Sequence, residues 1–271
     1  MKKNTLFLIA LWVHLSLSAQ SAQPASASSA NSSVADLSRW SSFHNPATLA
    51  IKSNAEILLS VDNRFIIKEL STKSLSFVYP TSWAVTALSV SHFGFELYHD
   101  ILAGVSFSRN FSDRFSLGLQ FDYWTTYSYG SNCYYGALFP QVGLLLRLAD
   151  QLDLGFHSFN PFQTEIHMEA TTKRVPSIFS MGLAYHMSSQ LHWRLQADRA
   201  IAMNYRLATA FEYQKDERYS FQVGVYGWEY LIGCLGMGIQ LGSFGIDVGL
   251  ELHPLLGLNS RLGIGYRFPE H

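Results

Sequence analysis

The sequence predicts an all-β protein, a closed antiparallel transmembrane β-barrel of about 14 strands. Three observations predict it. Apolar residues alternate with polar or small ones from residue 55 to near the C-terminus, the period of a pleated strand. Most alternating segments run about nine to eleven residues, the length that crosses a bilayer at a tilt, against about five or six in globular strands. Tight connections also alternate with longer ones, as in barrels with short periplasmic turns and longer external loops. Composition agrees. Of 271 residues, 48 % are hydrophobic and only 14 % charged, where a soluble domain carries about a quarter.

The segments lie near 54–61, 72–79, 83–92, 101–110, 114–124, 138–148, 151–159, 177–187, 190–198, 204–214, 218–228, 234–242, 244–252 and 259–268. In 115–123, Phe115, Leu117, Leu119, Phe121 and Tyr123 share one face; Ser116, Gly118, Gln120 and Asp122 share the other. In 191–198, Leu191, Trp193, Leu195 and Ala197 oppose His192, Arg194, Gln196 and Asp198. In 244–252, Phe244, Ile246, Val248, Leu250 and Leu252 oppose Gly245, Asp247, Gly249 and Glu251. Tight turns fall at 111–114, 149–151, 187–190, 214–217 and 242–243, and longer connections at 127–136, 160–176, 201–204, 228–233 and 253–259.

A soluble sandwich shows the same alternation, so the character of the two faces decides. The polar face is rich in Gly, Ser and Gln and poor in Lys, whereas soluble sheets guard their edges with charge. Charges fall in turns or on the polar face; a lipid-facing Arg or Lys at the midplane would cost about 2–4 kcal/mol. Aromatics gather at strand ends, with Tyr123, Trp124, Tyr127, Tyr129, Tyr134 and Tyr135 on the long-loop side and Tyr79, Trp83, Tyr266 and Phe268 on the other. Such rings settle at membrane interfaces. An open sheet edge in hydrocarbon would strand unpaired backbone groups, so the ring must close.

The N-terminus reads as a secretory signal over residues 1–20: Lys2 and Lys3, then an apolar run over 6–17 too short to span a bilayer. Ala19, Ser21 and Ala22 are the candidate cleavage positions. A Ser- and Ala-rich flexible leader is expected over 21–33. Net charge is −1, which gives no basis for nucleic-acid binding. Cys133 and Cys234 fall near long loops; a bridge is permitted outside the cytoplasm, but the two lie far apart around the ring.

Phe43-His44-Asn45-Pro46-Ala47, followed by this strand pattern and an aromatic final segment at 261–268, resembles the fourteen-stranded long-chain fatty-acid transporter (FadL-type) barrels. It resembles more closely their small Bacteroidetes relatives of PorV/PorQ type, associated with type IX secretion. The resemblance implies a Gram-negative outer-membrane location and a barrel over 53–271. It also implies an N-terminal segment, 34–52, folded into the lumen as a plug, with Trp40, Phe43, His44, Asn45, Pro46 and Leu49 its key residues. A lumen this wide cannot be filled by wall side chains alone. The function so implied is passive uptake of small hydrophobic compounds. The alternative is a non-transporting scaffold with secretion-system proteins as partners; in either case outer-membrane lipid surrounds the chain.

The inward faces are expected to carry Gln120, Asp122, Asp153, His192, Arg194, Gln196, Asp198, Arg206, Glu212, Asp247 and Glu251. Both signs occur, which suits an internal ion-pair network bracing strands and plug better than an ion-selective path. No catalytic, cofactor or metal residue is assigned. His157-Ser158 forms no nucleophile motif, and His186, His192 and His253 lack ligand spacing. The chain is therefore expected not to be an enzyme.

Overall fold

The structure, a computed structural model, describes residues 30–169, 171–201, 205–216, 218–227 and 230–269. The signal over 1–20 and the leader up to residue 29 lie outside the described residues.

Sixteen strands follow in order: β1 (Glu56–Asn63), β2 (Ser71–Pro80), β3 (Val85–Phe95), β4 (Tyr98–Ser112), β5 (Phe115–Ser128), β6 (Cys133–Ala149), β7 (Leu152–Phe159), β8 (Glu165–His167), β9 (Thr172–Arg174), β10 (Ile178–His186), β11 (Leu191–Ala200), β12 (Tyr205–Lys215), β13 (Tyr219–Gly227), β14 (Leu231–Leu241), β15 (Phe244–His253) and β16 (Gly257–Arg267). Fourteen form one closed antiparallel barrel, each beside its neighbour in sequence, with β7 passing directly to β10. β1 pairs with β16 from Glu56↔Arg267 to Asn63↔Ser260, so no edge meets lipid. β8 and β9 pair separately.

Every expected segment coincides with a barrel strand. Most outward side chains are apolar and most inward ones polar or small: Leu119 and Phe121 are 40 % and 49 % exposed, Gln120 and Asp122 5 % and 0 %. An apolar exterior around a sealed ring is the surface of a membrane barrel, and the chain is an outer-membrane protein. Glu56 and Arg267 lie at one end, the periplasmic one in barrels of even strand number; the 160–177 connection lies at the other, external end.

Three expectations need correction. The long connection at 127–136 is mostly strand: β5 and β6 continue upward through Tyr127↔Tyr134, whose rings lie 4.9 Å apart, leaving only 129–132 as a turn. The longer connection at 160–176 is not all loop, since it holds the β8–β9 hairpin. Trp124 and Tyr135, expected in the external aromatic belt, point inward instead; Trp124 is fully buried. Parity explains Trp124, which lies two residues from Asp122 and so shares its face. Cys133 is exposed, Cys234 is buried, and both are free thiols.

Residues from Ala30 onward run inside the barrel. The chain turns through two 3-10 segments, Arg39–Phe43 and Pro46–Ile51, before entering β1. The expected flexible leader therefore ends early: Ala30 packs on Ala210 and Cys234, and Ser32 and Ser33 are buried. The wall makes room with glycine. A Cβ on Gly118 would run into the backbone of Pro46 and Ala47, and one on Gly143 into the Asn45 side chain.

Candidate functional site

The lumen has two chemically distinct parts. One is the seat of the N-terminal segment. Asn45 caps the Pro46–Ile51 turn: its Oδ1 accepts from Ala47 N at 3.0 Å and its Nδ2 donates to Val34 O at 2.6 Å. Pro46 supplies the fixed φ suited to the first position of such a turn. Leu49 packs on Val78, Val85 and Ala87, while Trp40 and Phe43 pack on Leu58. His44 is half-buried; loss of water around its ring, aided by Arg261, pushes its pKa down to about 3.

Charged wall residues meet this segment directly. Arg194, buried in β11, donates to Asp36 at 2.7 Å and to Glu212 at 3.0 Å. Gln196 accepts from Val34 N at 3.0 Å and donates to Asp198 at 2.7 Å. Arg206 joins Asp198 at 2.8 Å to the Asn31 carbonyl at 2.9 Å. Glu251 accepts from Asn31 at 3.0 Å, and Asp247 accepts from the Trp40 indole at 2.9 Å. Asp153 and His192 sit lower and, among the described residues, make no hydrogen bond to the segment; both contact His186, at 2.9 and 2.8 Å. A polar cavity of roughly 860 Å³ opens here, lined by Asp36, Arg39, Arg194, Glu212 and Asp247 among others.

The other part lies at the external end over β4–β7. Leu102, Trp124, Phe139 and Phe159 project inward from adjacent strands and form an apolar patch that the N-terminal segment does not cover. The β8–β9 hairpin folds over them and inserts Ile166 and Val175. Lys173 fastens it: its ammonium donates to Asp100 at 2.6 Å, Tyr98 at 2.9 Å and Thr126 at 3.0 Å, and lies 5.1 Å from the Trp124 ring. Burial lowers the Lys173 pKa, and the Asp100 carboxylate opposes the shift. Beneath the patch lies a polar floor. Gln120 and Gln141 donate to the two Asp122 oxygens at 2.8 and 2.7 Å, and His157 closes the chain on Gln141 at 2.7 Å.

The structure thus brings together the expected lumen residues Arg194, Gln196, Asp198, Arg206 and Glu212 around the N-terminal segment, and places Gln120 and Asp122 apart, under the patch. The patch itself was not anticipated. Strand parity with Asp122 is a signal that could have placed Trp124 inward, but nothing in a three-residue strand could have marked Lys173.

No family model and no curated protein sequence matches the chain. Solved structures match at low identity. A Pseudomonas aeruginosa FadL homologue has a TM-score of 0.67 at 12 % identity, covering 93 % of this chain and 98 % of that one. The P. putida toluene transporter TodX gives 0.65 at 10 % identity over 84 % and 94 %. A TodX deletion mutant, described as a monoaromatic hydrocarbon channel, gives 0.64 at 10 % identity over 92 % and 98 %. At such identities the likeness concerns architecture: this chain, an outer-membrane β-barrel, shares its fold with the FadL homologue and TodX.

Proposed function

We propose that the barrel is a passive channel for small hydrophobic compounds, received at the external patch. The carrying observation is a cluster at the external end of the lumen: Leu102, Trp124, Phe139 and Phe159 form an apolar, aromatic-lined surface on four adjacent strands, apart from the apolar contacts that seat the N-terminal segment. Apolar pockets with few polar groups suit small apolar ligands. The β8–β9 hairpin covers this surface with Ile166 and Val175, side chains of the same chemistry as such a ligand, so a compound would take their place when the hairpin lifts. Neighbours of like fold that are described as carrying toluene or monoaromatic hydrocarbons support the substrate class.

A second reading, a closed scaffold, draws on the ion pairs that tie Arg194 to Asp36 and Arg206 to Asn31, which hold the N-terminal segment in place. One experiment separates the two. Uptake of radiolabelled toluene, naphthalene and a medium-chain fatty acid is compared in a deletion strain and the complemented strain. Transport predicts reduced uptake in the deletion, restored by the wild-type protein and not by Trp124→Asp. Unchanged uptake of all three rejects it and leaves the scaffold.

A further inference from the structure

The outer wall carries a notch that the channel reading does not use. It crosses β6, β7, β10 and β11 near the external end and has a volume of roughly 320 Å³, at the small end of the ~300–1,000 Å³ range of ligand pockets. Val142, Leu144, Phe156, Phe179, Met181 and Ala197 line it. Residue size creates it: the methyl of Ala197 and the hydroxymethyl of Ser158 stand among larger neighbours, since Ala197 pairs with Met181 and Ser158 with Phe179.

The row at its upper rim is not apolar. Ser158, Phe179, Arg199 and Tyr205 are successive cross-strand partners on β7, β10, β11 and β12. Arg199 is exposed, one residue from the external end of β11. Its guanidinium lies 4.9 Å from the Tyr205 ring centre and donates to the Tyr205 hydroxyl. No carboxylate among the described residues pairs with it. Ser158 Oγ is shielded from water and has no hydrogen-bond partner among the described residues. The lining thus combines hydrocarbon toward the membrane centre with a cation at the headgroup level, and the shielded Ser158 hydroxyl lies in the same row as the cation, across Phe179.

We propose that this notch binds a phosphate-bearing lipid of the external leaflet, with one acyl chain over Ala197 and the phosphate on Arg199. Charge complementarity chooses the occupant. A lipid-facing arginine is tolerated near the interface, and its planar donor fork matches a phosphate. Tyr205 holds one face of the guanidinium and keeps it from turning away. A neutral lipid would fill the notch but leave the cation unmatched.

Native mass spectrometry of the detergent-solubilised full chain tests this. The probes are a monophosphorylated acylated diglucosamine lipid, its dephosphorylated form, and inorganic phosphate. The wild-type protein is expected to bind the phosphorylated lipid about tenfold more tightly than the dephosphorylated one, and inorganic phosphate at millimolar concentration is expected not to displace it. Arg199→Gln should abolish the preference. Ala197→Trp should weaken both lipids about tenfold, and Arg109→Gln, outward at the opposite end of β4, should change neither. Equal binding of the two lipids by the wild-type protein overturns the proposal without recourse to any variant. So does displacement by inorganic phosphate, which would mean a free anion site, or an unchanged preference in folded Arg199→Gln.

Discussion

The two parts of the lumen are held by opposite means. Around the N-terminal segment, buried charges of both signs interlock: Arg194 alone bridges Asp36 and Glu212. At the external patch, contact is apolar and a single ammonium, Lys173, supplies the ion pair to the wall. A buried charge network penalises any partial opening, because each separated ion is left desolvated. An apolar cover penalises opening only by the area it exposes, and an incoming apolar molecule can replace that area. The lesson is that the same barrel can fix one occupant and leave another exchangeable by choosing polar or apolar inward faces.

The comparison breaks most sharply at Arg194. Arg194→Leu leaves Asp36 and Glu212 buried without their cation and should cost about 3–5 kcal/mol of stability. Urea titration of the heat-modifiable folded form on unheated gels measures it; a loss under ~1 kcal/mol would mean the N-terminal segment is not held by this pair. Next comes the wall that separates both parts from lipid. Leu195→Arg places a charge on the outward face of β11 and should cost about 2–4 kcal/mol, with reduced assembly into membranes. Unimpaired assembly would put Leu195 away from the midplane.

The external cover should respond differently. Lys173→Met removes the ammonium but keeps the stem; Asp100 retains its bond from Thr126 at 2.6 Å and gains water once the hairpin lifts, so it is not held as a bare buried charge. Global unfolding should therefore shift by ~1 kcal/mol or less, while external protease cuts within 160–177 several-fold faster and uptake of toluene rises. A large global loss with no change in proteolysis would mean that the hairpin is integral to the barrel.

The wall was legible in the sequence because a membrane imposes a two-residue code on every strand: Leu195 and Gln196, or Val248 and Asp247, could not exchange roles without stranding charge in lipid. The inward polar residues followed from the same code. Their partners did not, because Asp36 and Asn31 meet Arg194 and Arg206 only through the closed ring, across more than 150 residues of chain. The leader was misread from Ala30 on for a related reason. Its Ser/Ala composition cannot build a core, yet small residues fit well inside a core that the barrel supplies, as Ala30 does against Ala210. The β8–β9 hairpin was invisible because Glu165–His167 and Thr172–Arg174 are each three residues long, below the span over which alternation can be counted.

A more local test concerns Asn45, where the Asn-Pro-Ala element meets the wall. Its side chain does two jobs at once, capping the Pro46–Ile51 turn through Ala47 N and reaching back to Val34 O. Asn45→Ala removes both and leaves the Val34 carbonyl without this donor, so a loss of about 1–2 kcal/mol is expected. Asn45→Asp keeps the cap acceptor but loses the donor to Val34, and it adds a charge among buried groups. If capping dominates, the Asp variant should outlast the Ala variant in urea; if the bond to Val34 dominates, it should fall below it. Because Gly143 is cut back to make room for this side chain, Gly143→Ala should mimic the loss in an otherwise unaltered N-terminal segment. A Gly143→Ala protein as stable as wild type would mean that the segment does not press on β6 there.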